Sequence, residues 1–305
     1  MLGRRGRRRA QRRARELARL TAPRQSQVKR SLRPLWQIIG FYVICFLALG
    51  ILEVAGEVTV GAARLGAQEI LFQWISLASV VFASWIMLRR VAKLPWSTVG
   101  LDRAASSPRL IAIGVALGAL TIGIASLLLL GTGMMRIDQT LPGSWWGEAW
   151  RSTLVFLPAA FFEELFIRGY VFATLRRAGG WKLALIVTSV VFGLLHAWNP
   201  NPDAESVLAV IVAGFFLGAI LLATRSLYAA GAAHFAWNWV MSGALHIAVS
   251  GIPSHDPDYR VVETGPDWLT GGPWGPEGGL AAVVAMFVVL FYLYGRYLRR
   301  MEWKA

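Results

Sequence analysis

Long apolar runs alternate along this chain with short polar connections. A transmembrane helix needs about 20 mostly apolar residues, within a range of roughly 17–25. By that measure the pattern predicts eight spans, at residues 36–55, 70–88, 109–130, 150–175, 182–198, 206–223, 228–249 and 280–298. The fifth and sixth are short. The expected fold is all-α, a polytopic membrane helix bundle of about eight transmembrane helices. No internal repeat is visible.

The connections carry charge unevenly, and that sets an expected orientation. "RRVAKLPWS" at 89–97, "RRAGGWK" at 176–182, Arg225 and "RYLRRMEWK" at 296–304 are basic, and they fall on alternate connections. The intervening ones are acidic or neutral, ending with a long 250–279 segment that carries Asp256, Asp258, Glu263, Asp267 and Glu277. Lys and Arg concentrate on the cytoplasmic side of membrane proteins. Both termini are therefore expected to be cytoplasmic. The chain divides into a basic arm at 1–35 (disordered or interfacial), N-terminal spans over 36–149, a bundle with the candidate chemistry over 150–249, an extracytoplasmic loop at 250–279, and a last helix with a basic tail at 280–305. The loop reads as a connector more readily than as a lid.

Composition agrees with a membrane protein. Hydrophobic residues make up 56% of the 305 and charged residues 16%, with a mean hydropathy of +0.51. A soluble domain has about 45–50% apolar and about 25% charged residues. Most of the net charge of +14 sits in the arm, which has 13 Lys or Arg and one acid, Glu16. Beside a membrane span, such an arm binds anionic lipid and sets topology. It has no interleaved aromatic residues for base stacking, which argues against nucleic acid. The basic region is too long for a cleaved signal peptide, so the first span is expected to act as an uncleaved anchor in the inner (cytoplasmic) membrane. The single cysteine, Cys45, lies in an apolar run and reads as packing rather than as a nucleophile.

Candidate chemistry enters through polar groups where lipid should forbid them. A charge at mid-membrane costs at least ~2.5–3.5 kcal/mol, so such groups face a bundle interior and mark function. Three spans concentrate them: Glu163, Glu164 and Arg168 in the fourth, His196 in the fifth, and His234 with Asn238 in the seventh. Glu164 and Arg168, four apart, share a helical face, whereas Glu163 points about 100° away. Arg168 is thus expected to pair with Glu164. That leaves Glu163 without a counter-charge in a poorly solvated place, which suits a general base. A purely structural reading makes all three one ionic knot, but one arginine does not neutralise two glutamates. His234 and Asn238 are again four apart and share a face. His246, more than three turns further on, and His255, in a loop, are left out of the site. Counted from the cytoplasmic helix ends, His234 lies roughly 9 Å deep, Glu163 roughly 18 Å and His196 roughly 21 Å, an uneven set for groups meeting one water.

These residues resemble the CPBP group of intramembrane proteases, which includes CaaX-prenyl endopeptidases and bacteriocin-processing or immunity-associated proteins. Its motifs EExxxR, FxxxH and HxxxN/D stand here as "EELFIR" (Glu163, Glu164, Arg168), "FGLLH" (Phe192, His196) and "HFAWN" (His234, Asn238), in family order over about residues 150–245. The resemblance implies hydrolysis of a peptide bond in a membrane-associated peptide or protein substrate. Glu163 would activate a water that His196 orients, His234 and Asn238 would face the oxyanion, and Glu164 and Arg168 would hold the geometry. Two cofactor readings stay open, none or zinc on Glu163, His196 and His234. A catalytically idle scaffold or immunity factor is the alternative within the family. A transporter is the alternative outside it, though the two halves lack the matching broken helices of many transporters.

Overall fold

The computed structural model describes residues 24–60, 65–255 and 257–299. Most of the basic arm (1–23), Asp256 and the final residues of the tail (300–305) lie outside the described residues. The fold is an all-α polytopic bundle, 79% helical. Helix α1 covers Arg24–Val60 and α2 Leu65–Ile86, the latter continued by a wide π turn, Met87–Ala92. Helix α3 is Pro108–Gly131 and α4 is Trp145–Glu163. A second π turn, Glu164–Gly169, carries α4 into α5, Tyr170–Leu195. Helices α6 (Ala204–Thr224), α7 (Leu227–Trp239) and α8 (Leu280–Leu293) complete the bundle.

Local chemistry explains several boundaries. Pro108 begins α3, where a missing N–H costs nothing. Asp203 and Ser206 form a reciprocal capping box on α6, and the Ser226 hydroxyl caps α7 by accepting from the Ala229 N–H. Lys93 and Arg225 end their helices in the left-handed conformation.

Six helices among the described residues are long and apolar enough to cross a membrane. This differs from eight for two physical reasons. One of the six is a single 54-residue run, Trp145–Trp198, that covers two expected spans. It breaks at Gly180, whose φ of 88° and ψ of 172° suit only glycine. Glu163 and His196 flank this break 33 residues apart, about 50 Å along a straight helix. Their side chains nevertheless stand 3.8 Å apart, so the chain doubles back at Gly180. The second reason is α7, whose apolar run is diluted by His234, Asn238 and small residues.

Outward faces of α1, α3 and α8 display Phe46, Leu47, Leu127, Leu128, Val288 and Phe291 to the surroundings. In water such a continuous apolar surface is a liability, while in hydrocarbon it is the expected exterior. The chain is a multi-pass membrane protein. Inside, small residues let helices approach closely, as membrane helices do. A Cβ on Gly114 would lie 2.1 Å from the Ala229 carbonyl oxygen, and one on Gly118 would lie 2.0 Å from that of Ala233. Helix α3 is therefore in backbone contact with α7 over the turn that leads into His234.

The two ends of the bundle differ. At the basic end, the segment after α2 folds over the start of α7: Leu227 donates its N–H to Gly100 O at 3.0 Å, and Ser226 Oγ donates to Ala105 O at 2.6 Å. At the acidic end, β1 (Met135–Thr140) pairs antiparallel with β2 (Tyr259–Glu263), with Met135 opposite Glu263. The long 250–279 segment is thus not a plain connector but an organised cap. In this cap, burial and the neighbouring Asp267 push the Glu263 carboxyl from an ordinary 4.5 up to about 7.

Two outcomes follow from this packing. Gly118→Ala should lower stability by about 1–3 kcal/mol through overpacking. Gly123→Ala, whose Cβ meets nothing nearer than 3.7 Å, should leave it unchanged, as read by thermal unfolding in detergent. The cap should also respond to pH. The protonated Glu263 is favoured in the folded state, so its stabilisation is complete below about pH 4.5 and lost as pH rises through about 7. Melting temperatures across that window should fall in the wild type and flatten in Glu263→Gln.

Candidate active site

The π turn Glu164–Gly169 follows Glu163 directly and sets how the two glutamates point. Glu164 is fully buried and pairs with Arg168, Oε1 to Nη1 at 2.5 Å. Arg168 also donates from Nη2 to the Gly214 carbonyl on α6 at 3.1 Å. Its guanidinium lies 4.5 Å from the Phe192 ring centre on the returning leg of α5. One side chain thereby ties α4, α5 and α6 together. Glu163 turns the other way, with its side chain 32% exposed.

Glu163 Oε2 has no hydrogen-bond partner, and two imidazole nitrogens face it. His196 Nε2 is 3.8 Å away and His234 Nε2 is 3.9 Å away. Each ring is held by its other nitrogen. His196 Nδ1 donates to the Phe192 carbonyl at 2.8 Å, and His234 Nδ1 to Glu164 Oε1 at 3.2 Å. A carbonyl and an ionised carboxylate only accept, so each Nδ1 carries the hydrogen and a neutral ring presents a lone pair at Nε2. Phe192 packs 4.7 Å from the His196 ring and edge-on, 5.8 Å, to that of His234.

The uneven depths counted along the helices disappear in three dimensions. Glu163 lies 17 residues before the reversal at Gly180 and His196 16 residues after it, which brings them level. His234 is only seven residues into α7, but the segment carrying Gly100 and Ala105 folds over the start of that helix and buries Leu227 wholly, so α7 does not begin at the bundle's surface.

Glu163, Phe192, His196, His234 and Asn238 all line one cleft with about 120 Å³ of space for water. Glu164 and Arg168 sit behind its wall. His246 lies elsewhere, 2.9 Å from Asp258 and stacked on Tyr259 in the cap, and His255 is exposed. The cleft also takes in Glu69, Gln73, Asn199, Ser250 and Glu277, none of which the sequence pattern singles out. Glu277 accepts from Trp237 Nε1 at 2.8 Å and from the N–H and hydroxyl of Ser250 at 2.7 and 2.6 Å, and so fastens the cap to α7. Glu69 pairs with Arg151 across 82 residues. Neither carboxylate has a local motif to betray it, since both partners come from distant elements.

Two Nε2 lone pairs and a carboxylate oxygen make a donor set suited to zinc. Tetrahedral zinc with bonds of 2.0–2.1 Å places its ligand atoms about 3.3 Å apart, closer than the 3.8 and 3.9 Å here. Among the described residues no three such side chains stand at metal-binding spacing.

Residues 145–240 match the family model described as "Rce1-like: Type II CAAX prenyl endopeptidase Rce1-like". This part of the chain is similar to the CPBP family of intramembrane proteases. The matched stretch runs from α4 to the end of α7 and contains every motif residue of the site, although it is under half of the chain. No curated protein and no solved structure matches the chain. The CPBP segment indicates a protease-type hydrolase, and α1 to α3, the cap and α8 are the setting around it.

Removing one partner of a buried ion pair strands the other, at a cost of about 3–5 kcal/mol. Arg168→Met should cost that much in denaturant unfolding. The double change Arg168→Met with Glu164→Gln should recover part of it.

Proposed function

We propose that the protein is an intramembrane endopeptidase that hydrolyses a peptide bond of a membrane-associated peptide or protein with a water activated by Glu163. The observation that carries this reading is the partnerless Oε2 of Glu163, faced by the Nε2 atoms of His196 and His234 within 4 Å, beside a cleft with room for water.

Counting hydrogens sharpens the roles. With neutral rings, three acceptor atoms converge on one space, and a water has only two hydrogens to give. The arrangement therefore calls for one more positive charge, either a proton or a metal ion. In the proton version His234 carries the extra hydrogen on Nε2, opposite the Glu164 carboxylate that holds its Nδ1. This amends the simple oxyanion role, because a neutral His234 has no N–H left to donate. The water then donates a hydrogen bond to His196 Nε2 through the hydrogen it keeps and transfers its other proton to Glu163 as its oxygen attacks the scissile carbonyl. The resulting oxyanion takes hydrogen bonds from His234 Nε2–H and the Asn238 amide. Glu163 passes its proton to the departing amine as the C–N bond breaks. In the metal version, a divalent ion held by His196, His234 and Glu163 would supply Lewis-acid polarisation and a more acidic water. Arg168 and Glu164 act as positioning residues in both.

The test is cleavage of a membrane-peptide library by purified protein, with elemental analysis of the same samples. Wild type should cleave and Glu163→Gln should not. Asn238→Ala should lose about 10²–10³ in kcat with little change in KM, as expected for one lost oxyanion donor. One zinc per chain would select the metal version. Equal cleavage by wild type and Glu163→Gln would remove Glu163 as the base, and inactivity of both would sink the reading in favour of a scaffold or immunity role.

A further inference from the structure

The cleft has a direction. Its rim is built from Glu69 at the start of α2, Asn199 after α5, and Ser250, Ile252 and Glu277 of the cap. All belong to the acidic end of the bundle. No residue of the basic connections at 89–107, 176–182 or 225 lines it. A separate hollow of about 320 Å³ does open at the basic end, between Ser97, Thr98, Arg176 and Arg225, and it reaches Arg168. The two hollows share no lining residue. Between them stands the buried Glu164–Arg168 pair, with Phe192 under the guanidinium. An ion pair out of water is a costly partition to open.

Depth agrees with direction. Glu163 lies 13 residues from Arg176 at the basic end, about 20 Å along a helix, in a hydrocarbon core of about 30 Å. On the other side, Trp198 follows His196 by two residues with 81% of its surface exposed. Tryptophans gather where membrane meets water. His196 is thus a short step from the acidic-end interface, and Glu163, 3.8 Å from it, is a long one from the basic end.

Positive loops mark the cytoplasmic side. We propose that the cleft takes its peptide from the extracytoplasmic side, so that the substrate is an outward-facing segment of an exported or membrane-anchored polypeptide. Substrate direction rests on the peptidase reading, whereas the direction of the cleft does not.

Accessibility tests it without requiring activity. In a Cys45→Ala background, single cysteines at Ile252 on the rim, Gln73 inside the cleft and Ala178 at the basic end are treated with a membrane-impermeant maleimide. Ile252→Cys and Gln73→Cys should label in intact cells, and Ala178→Cys only in inside-out vesicles. The reverse pattern overturns the orientation. Labelling at Ile252→Cys with none at Gln73→Cys from either side overturns the open mouth. A paired assay fuses the same cleavable peptide to the outer or the inner end of a host transmembrane segment. Cleavage of the outer fusion alone supports the proposal, and cleavage of the inner fusion alone overturns it. Loss of cleavage in both, with labelling as expected, refutes the peptidase reading and leaves the cleft's direction standing.

Discussion

Arg168 is the group on which the rest of the arrangement depends. A guanidinium in hydrocarbon is tolerated only when its charge and its donors are answered inside the bundle. Glu164 answers the charge, the Gly214 carbonyl takes a second hydrogen bond, and the Phe192 ring lies against the guanidinium. These partners come from the turn after α4, from α6 and from the returning leg of α5. The three elements can therefore meet in few ways. The same Glu164 oxygen that takes Arg168 also takes His234 Nδ1, which brings α7 into register with the others.

From this follows a division of labour between adjacent carboxylates. Glu164 is consumed by structure, with no exposed surface. Glu163, one residue earlier, keeps a free oxygen on the wet side of the same helix. Each histidine repeats the scheme with two ring nitrogens, one spent on orientation and one left facing the cleft. Holding a ligand's far side so that its near side is fixed in tautomer and direction is how reactive imidazoles are usually set. In the proposed reaction the groups around the water are already aimed, and the extra proton or divalent ion is what they still require.

The bundle's two ends serve different purposes. At the basic end, the Leu227 N–H bond to the Gly100 carbonyl and the Ser226 hydroxyl bond to the Ala105 carbonyl fix the start of α7, from which His234 is placed. At the acidic end, Glu277 and the paired strands β1 and β2 hold the cap beside the cleft. The cap is joined to Trp237 of α7, to Asn199 after α5 and to Gly133 and Met134 before β1, which keeps a long Gly- and Pro-rich segment organised next to an open mouth.

Much of this was legible in the sequence because its causes are local. Apolar run length predicted membrane helices, and a four-residue spacing placed Glu164 and Arg168 on one face with Glu163 turned away. The Glu164–Arg168 pairing holds even though the turn that carries it is a π turn, because the two residues stay about one turn apart. The number of separate helices was less legible: the run through Gly180 is continuous in hydropathy, and only a backbone angle shows the reversal. The cleft itself depended on distant partners. His196 reaches Glu163 across 33 residues, His234 reaches Glu164 across 70, and Glu277 reaches Trp237 across 40. Which nitrogen each histidine turns toward Glu163, and which end of the bundle the cleft opens on, were decided by tertiary packing, because a side chain's free atoms are whatever its neighbours leave over.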